Sequence, residues 1–140
     1  MKHTPLIWIL GCLTVGACSS HQNNTEARSI SLEESPATPQ VFAAGVISTP
    51  MSERDITIAP DGRHLLFSVA TPDQSVRAIA EVIKENDSWI GPTVVPFSGV
   101  HDDLEPAFAP DGQTLFFVSN RPLNDTDSIP DHNIWQVTRS

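Results

Sequence analysis

Asp55–Phe67 (DITIAPDGRHLLF) and Glu105–Phe117 (EPAFAPDGQTLFF) are two versions of one sentence. Their Ala-Pro-Asp-Gly cores begin at Ala59 and Ala109, fifty residues apart. Two unrelated hairpins would not share Ala, Pro, Asp, Gly, Leu and Phe in the same order over so short a span. A repeat of this period constrains the chain to an array of similar units, each covering part of its neighbour.

The pattern around each core is that of antiparallel strands. In the first copy, Asp55–Ala59 alternates, Pro60-Asp61-Gly62 makes the turn, and Leu65–Val69 resumes as an apolar strand. Asp-Gly between such runs tolerates positive φ at both central residues, which predicts a tight hairpin. A proline just before the turn suits a strand end, where no ladder donor is needed. Ala78–Ile83 reads as a third strand, although Val76–Lys84 has enough helix propensity to compete. Glu85–Ser88 reads as a turn and Trp89–Phe97 as a fourth, proline-marked edge strand. The second copy offers Ala107–Ala109, Pro110-Asp111-Gly112, Thr114–Ser119 and Asn133–Thr138, and no fourth strand before Ser140. The expected fold is all-β, with one four-stranded antiparallel unit at about 52–100 and an incomplete one at about 102–140.

The amino terminus has a different purpose. Lys2 precedes the uncharged run Leu6–Val15 (LIWILGCLTV), followed by Gly16, Ala17 and Cys18. That run is too short to span a bilayer permanently and suits an export signal. Val15–Cys18 resembles the bacterial lipobox, in which the peptidase cuts between the residues at Ala17 and Cys18 and the thiol carries diacylglycerol. Residues 1–17 are then the signal peptide, and Cys18 is the lipidation site that holds the chain to the membrane. Ser19, in place of an inner-membrane retention aspartate, implies an outer-membrane lipoprotein facing the periplasm. Cys12 leaves with the signal, so the mature chain has one cysteine and no internal disulfide. Residues 18–40 are polar and read as a disordered tether, and residues 41–140 as the folded part.

Seventeen acidic residues against eight Lys plus Arg, a net charge of −9, argue against nucleic acid as a partner, since phosphate binding depends on cations. The same charge leaves membrane attachment to the lipid.

The motif Ala-Pro-Asp-Gly-x-x-Leu-x-Phe, with Ser119-Asn120-Arg121 closing the second copy, resembles the PD40 (WD40-like) repeat of TolB-like β-propellers. The resemblance covers roughly residues 50–140. The first copy departs from it at Ala70-Thr71, where the second has Asn120-Arg121. It implies about two β-propeller blades of an incomplete propeller, in a binding or scaffold module of the cell envelope whose partners are other envelope proteins. The expected explanations for the short ring are a truncated gene product, a homo-oligomer of short chains, or a small stack of sheets. Val41–Ser48 is expected as the outer strand of a preceding blade or as a strand that closes the ring.

The most polar cluster, His101-Asp102-Asp103-Leu104-Glu105, is a candidate binding loop. Its carboxylates offer oxygen ligands for calcium, yet no glycine-bracketed calcium loop is present, and no metal or cofactor is assigned. Acidic residues recur at Glu53/Asp103 and Asp55/Glu105, which points rather to a structural part in each unit, at strand-end amides or a solvated channel mouth. Asp61 and Asp111 read as turn residues that cap their own backbone. His64 reads as a half-exposed strand residue, and the acidic loop at 123–132, which contains His132, as a place for a partner contact. The chain has no Gly-x-Ser-x-Gly elbow, no His-Glu-x-x-His and no phosphate-binding glycine loop, so it is not read as an enzyme. The alternative is the amino-terminal propeller fragment of a prolyl-oligopeptidase-like hydrolase.

Overall fold

The computed structural model describes residues 30–32, 35–124, 126–128 and 131–139. The described residues are all-β: seven strands form two antiparallel sheets, without a helix. The first sheet has the order β1-β2-β3-β4, from β1 (Ser52–Ile58), β2 (His64–Ala70), β3 (Arg77–Glu85) and β4 (Ser88–Val94). The second has the order β5-β6-β7, from β5 (Asp103–Phe108), β6 (Thr114–Ser119) and β7 (Asn133–Thr138). Neither sheet closes on itself.

The two copies of the repeat become β1-β2 and β5-β6, in matching register. Ile58 pairs with Leu65 as Phe108 pairs with Leu115. The turn is looser than expected. Gly62 N–H donates to Ala59 O (2.9 Å) and Gly112 N–H to Ala109 O (2.9 Å), closing four-residue turns. Only the glycines adopt positive φ, 66° at Gly62 and 68° at Gly112; the aspartates do not. Proline before the aspartate favours a right-handed turn, and glycine supplies the left-handed residue that returns the chain to β2 or β6.

β2 is buried on both sides, which is why its sequence is an apolar run rather than an alternation. Leu65 and Phe67 point to one cluster with Ala80, Val82, Val46, Ile47 and Ile30. Leu66 points to the other, with Ile79, Val95, Leu115 and Phe117, between the two sheets. Phe97, Phe108, Trp135 and Val137 pack around this second cluster. β5 lies against β1, β2 and β3. The same two-sided burial selects strand over helix at residues 77–85, because Ile79 and Ala80 go to opposite faces.

Three expectations change. Val41–Ser48 is a run of turns with one isolated bridge between Ala44 and Ser48, not a strand; Val46 and Ile47 cap the open face of the first sheet. Ile30, placed in the tether by its polar neighbours, is 8% exposed, and its carbonyl accepts the Trp89 indole N–H at 2.9 Å. The fourth strand stops at Val94, and Val95–Ser98 forms a turn closed by Ser98 N–H to Val95 O (3.0 Å).

Turn carboxylates are held by their own backbones. Asp61 accepts from Arg63 N–H (2.8 Å), and Asp111 from Thr114 N–H (2.9 Å) and Gln113 N–H (2.8 Å). Asp73 accepts from the Thr71 hydroxyl (2.6 Å), the Ser75 hydroxyl (2.8 Å) and Ser75 N–H (3.1 Å). These donors lower all three carboxyls from the ordinary 3.8, Asp73 to about 2.

Two outcomes follow for stability. The unfolded chain protonates these carboxylates near pH 4, before the folded chain does, so their contribution is complete above about pH 4 and lost on acidification towards 2. Urea titrations between pH 5 and 2.5 should show that loss, smaller in Asp73→Asn. Alanine at a left-handed position costs roughly 1–2 kcal/mol. Gly112→Ala should cost more than Gly62→Ala, because a Cβ at residue 112 would stand 3.3 Å from Pro60 Cδ whereas residue 62 faces open space.

Candidate functional site

Three places in the structure gather polar or accessible groups, and each is built from the repeat. The first is the seam where β1 meets β5. Both strands break register there, between Arg54 and Thr57 and between Leu104 and Ala107. At the breaks Asp55 and Glu105 sit at positive φ, 55° and 54°. Non-glycine residues hold that conformation only when their surroundings over-determine it, and the surroundings here are specific. Fully buried Ser68 donates its hydroxyl to Asp55 Oδ2 (3.1 Å) and accepts Glu105 N–H (2.8 Å), while Thr57 Oγ1 accepts Phe108 N–H (3.3 Å). Arg54 bridges the carboxylates of Asp55 (2.6 Å) and Glu105 (3.0 Å). Asp55 first, and Glu105 less, raise the pKa of that guanidinium.

The second place surrounds Arg121. Its Nη2 pairs with Asp103 Oδ1 (2.8 Å) and donates to Phe97 O (3.0 Å), and its Nε donates to Ser119 Oγ (2.9 Å). The guanidinium also lies 4.8 Å from the Phe117 ring centroid and 5.5 Å from that of Trp135. Asp103 is fully buried, so Arg121 balances a charge that water cannot reach. Asp103 Oδ2 and Trp135 Nε1 are buried without a hydrogen-bond partner among the described residues. In the first sheet the equivalent Glu53 serves differently: it accepts from the Thr49 N–H and hydroxyl.

The structure therefore takes the candidate acidic loop apart. Asp103 and Glu105 lie within β5, not on a loop, and each acid has its own arginine: Asp102 with Arg77 (2.9 Å), Asp103 with Arg121, Glu105 with Arg54. Among the described residues no three His, Cys, Asp or Glu side chains converge as a metal cage. His101 lines a polar hollow of about 210 Å³ with Arg77, Asp102 and Asn120. In the loop at 123–132, Asn124 Oδ1 accepts from Thr126 N–H (3.0 Å) and Leu123 N–H donates to Asp127 (3.0 Å), while His132 is exposed. Ala17 and Cys18 lie outside the described residues.

The third place is a cleft of about 370 Å³ between the sheets, within the size range of natural ligand pockets. Ile83, Val95, Phe97, Phe108, Leu115 and Val137 make it apolar. At its rim His64 Nδ1 lies 2.8 Å from Glu81 Oε1, and Arg139, paired with Asp61 (3.2 Å), covers the Phe108 ring at 5.9 Å. This cleft was not foreseen, because its walls come from strands distant in sequence. The only sequence signal for it is the surplus of apolar residues in 94–97 after the fourth strand.

Such an arrangement can bind: an apolar slot with a polar rim, held by two polar seams. Comparison with protein-family models, with curated proteins and with solved structures finds no match to this chain.

The two arginine contacts differ sharply in environment, so their removal should differ in cost. Arg121→Ala leaves Asp103 buried and uncompensated and should cost about 3–5 kcal/mol. Arg54→Ala removes a pair whose side chains are about half exposed and should cost under about 1 kcal/mol. Urea unfolding of both variants at neutral pH measures the contrast.

Proposed function

We propose that this chain is a lipid-anchored binding or scaffold module of the cell envelope, built from TolB-like β-propeller blades and tethered by Cys18. The observation that carries the reading is the sense in which the repeat stacks. Leu65 and Phe67 face what precedes the first sheet, and their counterparts Leu115 and Phe117 face the first sheet itself. Each unit thus presents the same face backwards and leaves its other face for a successor, which is the rule of an array. The Val15–Cys18 segment adds the envelope address, and the acidic balance leaves protein segments as better partners than nucleic acid.

Catalysis has no place in this reading. Its partners are other envelope proteins, met at the sheet edges and at the cleft between the sheets.

Attachment is the testable core. Cys18→Ser should abolish incorporation of a clickable palmitate analogue and release the chain from the membrane fraction. Undiminished acyl labelling in that variant would overturn the lipid anchor.

A further inference from the structure

The cleft between the sheets has one polar corner. His64 and Glu81 stand diagonally across the β2-β3 ladder, His64 opposite Ile83 and Glu81 opposite Leu66, so all four side chains share the face turned to the second sheet. The two polar side chains are only 18% and 20% exposed, with His64 Nδ1 2.8 Å from Glu81 Oε1. Phe97, Phe108 and Leu115 surround this corner with apolar surface.

The repeat itself has no need of this pair. In the second sheet Thr114 holds the place of His64, since each carbonyl accepts the N–H of the alanine that opens its turn. Gln136, opposite Phe116, holds the place of Glu81. There the Thr114 hydroxyl turns to Asp111 (3.1 Å) instead. A sheet of the same plan therefore forms without an imidazole or a carboxylate at these positions. Two titratable groups set together in a cleft, beyond what the scaffold requires, point to a ligand.

The pair also fixes what the corner can recognise. An ionised carboxylate only accepts, so the bond places the imidazole proton on Nδ1, and Nε2 of the neutral ring is then an acceptor. Arg139, the arginine that lines the cleft, is already paired with Asp61 (3.2 Å) and covers the Phe108 ring. An anionic ligand would meet the Glu81 carboxylate and a chain of net charge −9. A cationic one would bury its charge against apolar walls.

We infer that the cleft binds an uncharged ring compound with one hydroxyl, a substituted phenol, which donates to His64 Nε2 while its apolar body packs among Phe97, Phe108 and Leu115. Glu81 is a positioning residue: it keeps the imidazole proton on the nitrogen away from the ligand. The apolar walls supply affinity, and the single acceptor selects a hydroxyl over an ether. This goes beyond the envelope-module reading, which stands or falls on acyl labelling at Cys18, so either can fail alone.

The test is titration of the full-length chain at pH 8 with 4-propylphenol, followed by NMR of the imidazole nitrogens. 4-Propylanisole keeps the ring and loses the donor, while 4-propylbenzoate and 4-propylbenzylamine add a negative or a positive charge. Saturable binding of the phenol is expected, about three- to ten-fold tighter than the anisole, with a change in the His64 Nε2 shift. His64→Phe should bind the phenol and the anisole alike. Ile83→Trp, which fills the slot, should weaken both about ten-fold or more. Glu81→Gln can donate to Nδ1 and move the proton to Nε2, so it should reduce the preference for the phenol. If His64→Phe unfolds, Glu81→Gln decides. No saturable binding of the phenol, equal affinity for phenol and anisole in the parent chain, or tighter binding of either charged analogue would each overturn the inference. So would an undiminished preference in folded His64→Phe or Glu81→Gln, or unchanged binding in folded Ile83→Trp.

Discussion

β2 has no solvent face, and the rest of the structure follows from that. With Leu65 and Phe67 on one side and Leu66 and Ser68 on the other all buried, a single sheet leaves half of this strand wet. Burying a large apolar side chain is worth roughly 1.5–3 kcal/mol, so both faces must be covered. Ile30, Val46 and Ile47 cover one and the second sheet covers the other. The structure is therefore a stack of three layers, although its regular secondary structure makes only two.

Polar atoms inside that stack are specialised by position. Ser68 reaches both strands at the seam and satisfies an amide that the break in β5 has released. Arg121 works at the far end, where it ties a buried carboxylate, a connecting carbonyl and two aromatic rings to one cation. The apolar clusters give the attraction between sheets, and these directional contacts set how one sheet is placed on the other.

Much of the strand order was legible in the residues themselves. The Pro-Asp-Gly turns and the apolar runs after them placed β1, β2, β5 and β6, because local turn chemistry and strand patterning act over a few residues. What escaped was long-range. Ile30 sits among polar neighbours and gives no periodicity, yet it completes a cluster. The register breaks at Asp55 and Glu105 look like ordinary alternation, since nothing in a single strand announces an extra residue. His101, Asp102, Asp103 and Glu105 looked like one polar group because they adjoin in sequence; the register break at Glu105 turns it away from Asp103, and arginines at 54, 77 and 121 each take one of the three acids. The cleft was invisible for the same reason, being made of side chains up to 75 residues apart.

The indole hydrogen bond from Trp89 to Ile30 has a mechanical meaning. Ile30 is seated on the first sheet's face rather than woven into its ladder. Such a join peels one contact at a time, whereas a strand pulled along its length must break many bonds together. A pull on Ile30, Val46 and Ile47 would uncover Leu65 and Phe67 without breaking a strand pairing. The molecule carries its own weak link, placed where yielding spares the sheets and exposes a face equivalent to the one already used to join them.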